Sequence, residues 1–187
     1  MAEYKEYDWS PYNLPRDMLE AIGQVTICYA QSESFLQDAL AGCAGVDFMC
    51  GRAITTHMSM PLRFDALRAV AEITIDDLDA LDELDGHLDQ FEVAIKKRNA
   101  IAHNRWCRDP ETGEMFTVKE TARGTVRSDL IPTTVEQVKA DAAFIYDVGM
   151  KLFVFLKRHN LLPRMPEEVR PRGHKTKAAR KKRREGK

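Results

Sequence analysis

The sequence predicts an all-α fold, a four-helix bundle carrying a small β-hairpin before its last helix. Three observations predict it. Apolar residues recur three and four positions apart over four stretches, the spacing of one face of an α-helix. Cap and turn residues punctuate those stretches. Between the third and the fourth, residues 104–131 switch to short β-branched runs around Gly124. Four helices with short connections bury their stripes most simply against one another.

The first helix is expected from about Pro15 to Ala44. Pro15 suits a first turn. Ile22, Val25, Tyr29, Leu36 and Leu40 form its stripe, and Gly42 and Gly45 mark its end. Glu33 lies on that same face and needs a partner, because burying an unpaired charge is costly. A second helical stretch covers about Arg52 to Ile73, broken at Pro61, with Ser59 able to cap the restart. Phe64, Leu67 and Val70 supply its stripe. The third helix, from about Asp76 to Ala102 or His103, has the strongest periodicity: Leu78, Leu81, Leu84, Leu88, Phe91 and Ile95. Acidic residues open it and Lys96, Lys97 and Arg98 close it, matching the helix dipole.

Asp109 to Gly113 is a turn signal, and Met115–Lys119 and Gly124–Leu130 read as the two hairpin strands. The fourth helix runs from about Thr134 to His159. Thr133 or Thr134 caps it, and Val135, Val138, Ala142, Ile145, Gly149, Leu152 and Leu156 form its stripe. The helical domain therefore spans 15–162. An irregular arm, 1–14, precedes it and packs Tyr4, Tyr7, Trp9 and Tyr12 on the body. A basic tail, 163–187, follows and is expected to be disordered alone.

Composition narrows the function. The 187 residues are 44% hydrophobic, enough for a real core. No apolar run approaches the roughly 18 residues of a bilayer span, and the acidic, aromatic N-terminus is unlike a signal peptide. A soluble, cytoplasmic protein without membrane contact is expected. Cys28, Cys43, Cys50 and Cys107 form no C-x-x-C pair, and a zinc site of Cys43, Cys50 and His57 lacks the usual ligand spacing. The sequence calls for no metal and no cofactor. The net charge of −1 hides an asymmetry: residues 170–187 hold ten basic side chains against Glu185 alone. Lys181, Lys182, Arg183 and Arg184 form its densest run, suited to polyanion contact through phosphates.

The chemically informative stretch is Lys96-Lys97-Arg98-Asn99-Ala100-Ile101-Ala102-His103-Asn104-Arg105-Trp106. Asn99 and His103, four apart, share one side of the helix. Arg98 stands about 100° from Asn99 and about 140° from His103 on an ideal helix. A distorted helix end, or two helices meeting across a dimer axis, is needed to aim Arg98 and His103 at one point. Each residue type suits phosphodiester cleavage. Histidine moves protons near neutral pH. Arginine offers a planar fork to phosphate oxygens. Asparagine positions either by hydrogen bonding. In RNA the 2′-hydroxyl is an internal nucleophile, so no metal is required.

Arg98-Asn99-x-x-x-His103, at the end of a long amphipathic helix and followed by Trp106, resembles the R-x4–6-H motif of HEPN domains. The likeness covers about residues 15–160. It implies a helical bundle, often a homodimer, in a family with many RNases of toxin–antitoxin, antiviral and RNA-processing systems. By that resemblance Arg98 and His103 are the catalytic pair and Asn99 a positioning residue. The two helix ends of a dimer would form a shared basic cleft, and the products would be a 2′,3′-cyclic phosphate and a 5′-hydroxyl. Glu33 would hold Arg98 or His103, or else lie half-exposed at the stripe's edge, and Lys97 would support the pair. Arg105, Trp106 and the Lys181–Arg184 run would contact nucleic acid, although Trp106 also suits covering the bundle's end. The partners implied are RNA, a second copy of the chain, and an antitoxin or other protein. The alternative is a non-catalytic HEPN-like module that binds a nucleotide, RNA or a protein. No helix-turn-helix pattern with a basic recognition helix is present.

Overall fold

The computed structural model describes residues 6–165 and 177–186. It is mostly helical, with a small antiparallel sheet. Helix α1 (Arg16–Cys43) is the central element and packs along α5 (Val135–Arg158). Helix α4 (Leu78–Ala102) packs on both, and α2 (Phe48–Thr55) and α3 (Met60–Thr74) cover the remaining flank of α1. Most of the stripe residues read from the sequence meet in one core: Val25 and Leu36 of α1, Leu67 of α3, Leu84 and Phe91 of α4, and Ile145 and Leu152 of α5 are buried, whereas Leu78, expected to open the α4 stripe, is the first residue of that helix and is 74% exposed. Among the described residues no helix is long and apolar enough to cross a membrane.

Local chemistry sets the helix ends. Asp77 accepts from Asp79 N at the start of α4, and Thr134 accepts from Gln137 N at the start of α5. The second expected stretch is two helices. Asp47 caps α2 through Cys50 N, so that helix begins at Phe48 rather than near Arg52. Ser59 occupies the N-cap position of α3 without a side-chain bond, and Pro61 sits in the first turn.

The crossing of α1 and α5 is close. A Cβ at Gly149 would lie 2.2 Å from Ser32 Oγ and 2.8 Å from Ser32 Cα. Ser32 Oγ donates to the Ile145 carbonyl at 2.8 Å, so the buried hydroxyl is satisfied.

The insertion is larger than the expected two-stranded hairpin. Strands β1 (Arg105–Arg108), β2 (Met115–Arg123) and β3 (Thr125–Pro132) form one antiparallel sheet in that order. Trp106 pairs with Thr117, and Thr117 with Ile131. Gly124, at φ 77°, turns β2 into β3. The N-terminal arm is part of the same unit. Asp8 and Arg108 exchange two backbone hydrogen bonds of 2.9 Å, and Tyr7 meets Phe116 edge-on at 5.8 Å. Tyr12 is 93% exposed and does not pack on the body as expected, while Tyr4 lies outside the described residues.

The tail also differs from expectation. Lys177–Glu185 form a helix, α6, in a stretch of good helix formers that includes Ala178 and Ala179 and the i,i+4 pair Lys181–Glu185 at 3.6 Å. The expectation of disorder over 166–176 falls outside the described residues.

Candidate functional site

The last turn of α4 carries Arg98 and Asn99, and His103 terminates it. His103 leaves the helical track, with φ −114° and ψ −20°, while its N–H still bonds the Asn99 carbonyl at 3.0 Å. The long Arg98 side chain lies along this distorted end. Its Nη1 donates to Asn99 Oδ1 at 3.0 Å and approaches His103 Nε2 at 2.7 Å. The gap of about 140° on an ideal helix is thus closed within one chain. A guanidinium has donors only, so a hydrogen bond between the two has Nε2 as its acceptor. His103 is exposed and Arg98 and Asn99 are half-buried.

Arg98 is held from below by an aromatic ring. Its guanidinium carbon stands 4.9 Å from the ring centroid of Tyr29 on α1, a cation–π contact. Tyr29 itself is buried, and burial raises its phenol pKa; the Glu33 charge raises it further, and Arg98 and Arg63 oppose the shift. Among the described residues the partners of Arg98 are Asn99, His103 and Tyr29, and no carboxylate neutralises it. Its Nη2 and Nε groups are therefore available to an anion. Sequence reading placed Tyr29 in the apolar stripe and missed this second role. The available signal was its place one turn before Glu33 on the core face.

Glu33 does not hold Arg98 or His103. Its carboxylate pairs with Arg63 of α3, a buried guanidinium whose Nε also donates to the Thr55 carbonyl at 3.1 Å. A buried cation needs a close counter-charge, and Arg63 is the one that is buried. Lys97 does not support the pair either. About 100° around the helix from Arg98, it meets Asp141 of α5 at 2.5 Å and lies over the Phe144 ring at 5.5 Å. It clasps α4 to α5.

The nucleic-acid contacts proposed for the following strand are also committed elsewhere. Arg105 pairs with Glu120 and lies over the Trp9 ring at 4.9 Å. Trp106 donates its indole N–H to the Ile101 carbonyl at 3.0 Å and packs on the core, closing the end of α4 rather than offering a free face for stacking. Lys181, Lys182, Arg183 and Arg184 are exposed on α6.

A cavity of about 490 Å³ opens beside Arg98, between α1, α3 and α4. Tyr29, Met60, Phe64 and Ile95 give it apolar walls, and Arg98 and Asn99 form one rim. His103 is not among the residues that line it. No local pattern announces such a space, because its walls come from three helices.

The cysteines are not part of this site. Burial pushes the Cys43 thiol up to about 11 and also raises that of Cys107. Among the described residues no three His, Cys, Asp or Glu side chains gather where they could hold a metal ion, so Cys43, Cys50 and His57 do not form a cluster.

Fold and site together define a mostly helical protein with an exposed cation–imidazole pair beside an apolar cavity. No family model, no curated protein and no solved structure matches the chain.

Proposed function

We propose that the protein is a metal-independent endoribonuclease of the HEPN type, acting in the cytoplasm as a homodimer, in the manner of a toxin or antiviral defence effector held by an antitoxin or other protein partner. The observation that carries this reading is the 2.7 Å approach of Arg98 Nη1 to His103 Nε2 at an open helix end. An incoming phosphodiester draws the Arg98 fork onto its oxygens. That frees the Nε2 lone pair to accept the proton of the adjacent 2′-hydroxyl. The 2′-oxygen then bonds to phosphorus, the bond from phosphorus to the 5′-oxygen breaks, and the departing oxygen takes a proton from solvent water, while the proton on Nε2 returns to solvent. The products are a 2′,3′-cyclic phosphate and a 5′-hydroxyl. Arg98 offsets the charge that grows on the phosphoryl oxygens. Asn99 fixes the guanidinium.

The test is cleavage of single-stranded and structured RNA in excess chelator. Wild type is expected to cut, and His103→Ala to lose about two to four orders of magnitude in rate with its fold intact. Equal cutting by the two proteins would remove His103 from the mechanism. The second reading is a non-catalytic module that binds RNA or a nucleotide. It is favoured by the ready-made hydrogen bond that occupies Nε2, and it predicts salt-sensitive binding without turnover.

A further inference from the structure

The geometry points to a base-reading subsite in the cavity beside Arg98, one that takes an unpaired guanine next to the scissile phosphate. This assignment rests on Arg98 and His103 being the cleavage pair. Arg98 is the wall that the cavity and the pair share, so a nucleotide whose phosphate lies on Arg98 reaches the cavity with its own base.

The cavity suits a flat heteroaromatic. At about 490 Å³ it falls in the range of small-ligand sites, and its walls are mainly apolar, with the Tyr29 ring, Met60, Phe64 and Ile95 contributing. Single-stranded RNA is read by stacking and by bonds to the exposed pairing edge of a base. Two cations besides Arg98 line the cavity, and of these Lys96 is exposed and has no ion-pair partner among the described residues. Arg68 is satisfied by Asp85 at 3.2 Å, Asp89 at 3.1 Å and Glu92 at 3.5 Å. Asp65 also lines the cavity, one turn from Arg68, and among the described residues it has no hydrogen-bond or ion-pair partner. Its carboxylate is a pair of open acceptors beside an apolar slot. Of the four RNA bases only guanine presents two N–H donors side by side on its pairing edge, so only guanine meets a carboxylate through two bonds. Adenine, cytosine and uracil each offer the carboxylate one N–H on that edge, with an acceptor beside it.

The probe is a set of four trinucleotides that differ in the central base and carry 2′-O-methyl groups. These lack the internal nucleophile and bind without being cut. Wild type is expected to bind the guanine member about tenfold or more tightly than the other three, the discrimination of one good bidentate contact. Asp65→Asn, at an exposed position where the fold is indifferent, abolishes the preference. Ile95→Trp fills the slot and weakens the guanine member to the level of the others. Equal binding of all four by wild type, or a preference that survives both substitutions, overturns the subsite. The same proteins are assayed on unmodified RNA. Cleavage without any base preference leaves the nuclease standing and removes the subsite. Guanine-selective binding lost in Asp65→Asn, with no cleavage by wild type, does the reverse.

Discussion

Replacing Glu33 with alanine separates two roles for that carboxylate. The Arg63 side chain is 5% exposed and that of Glu33 31%, so the substitution leaves a buried guanidinium with the Thr55 carbonyl as its remaining oxygen partner. Breaking a buried pair by removing one member costs about 3–5 kcal/mol. Water reaches the Glu33 side of this pair, which argues for the low end, about 3 kcal/mol. In a chain of this length that lowers the melting temperature by roughly 6–12 °C. Thermal unfolding followed by circular dichroism measures it. Glu33→Leu combined with Arg63→Met, which removes both charges, is expected to recover most of the loss. RNA cleavage by Glu33→Ala, assayed below its transition, should stay near the wild-type rate, because Arg98 is positioned by Tyr29 and Asn99. Stability within about 1 kcal/mol of wild type together with a tenfold fall in cleavage would refute this reasoning and return Glu33 to the Arg98–His103 pair.

Two further outcomes test the scaffold. Gly149→Ala forces a methyl to within 2.2 Å of Ser32 Oγ and is expected to destabilise by about 1–3 kcal/mol in urea titration, with Ser32→Gly in the same chain recovering part; unchanged stability would mean that α1 and α5 are not this close. Tyr29 has a raised phenol pKa, so its neutral form favours the folded state: that contribution is intact below the ordinary phenol value of 10.0 and is lost as pH rises through the higher folded value. Phenolate absorbance should show one tyrosine ionising later than the rest, absent in Tyr29→Phe and shifted down in Glu33→Ala.

What could be read from the sequence was what repeats locally. The α4 stripe from Leu78 to Ile95 and the polar end at Arg98, Asn99 and His103 are both visible as spacing, and the helix runs on past Ile95 to Ala102, as expected. The two alternatives for bringing Arg98 to His103 were also statable in advance. Choosing between them required the actual backbone at His103, a single residue off the helical track. Strand β1 was hidden because four residues hold too little alternation to register, and its partners lie in β2 and in the arm. The partner of Glu33 was hidden for a different reason. Arg63 is a lone charge in the first turn of α3, among Met60, Pro61, Leu62 and Phe64, and which side of that turn is buried follows from how α3 lies against α1. Lys97 was expected to support the Arg98–His103 pair and Arg105 to contact nucleic acid, yet each has an acidic partner in space, Asp141 and Glu120.

The pairing of Asp8 with Arg108 has a consequence for how the molecule is made. The arm's hydrogen-bonding partner follows a hundred positions later in the chain. Residues 6–9 therefore stay unpaired until Arg108 has been made. Proteolysis of stalled nascent chains should find this segment open in chains that stop short of Arg108 and protected in those that include β1 and β2.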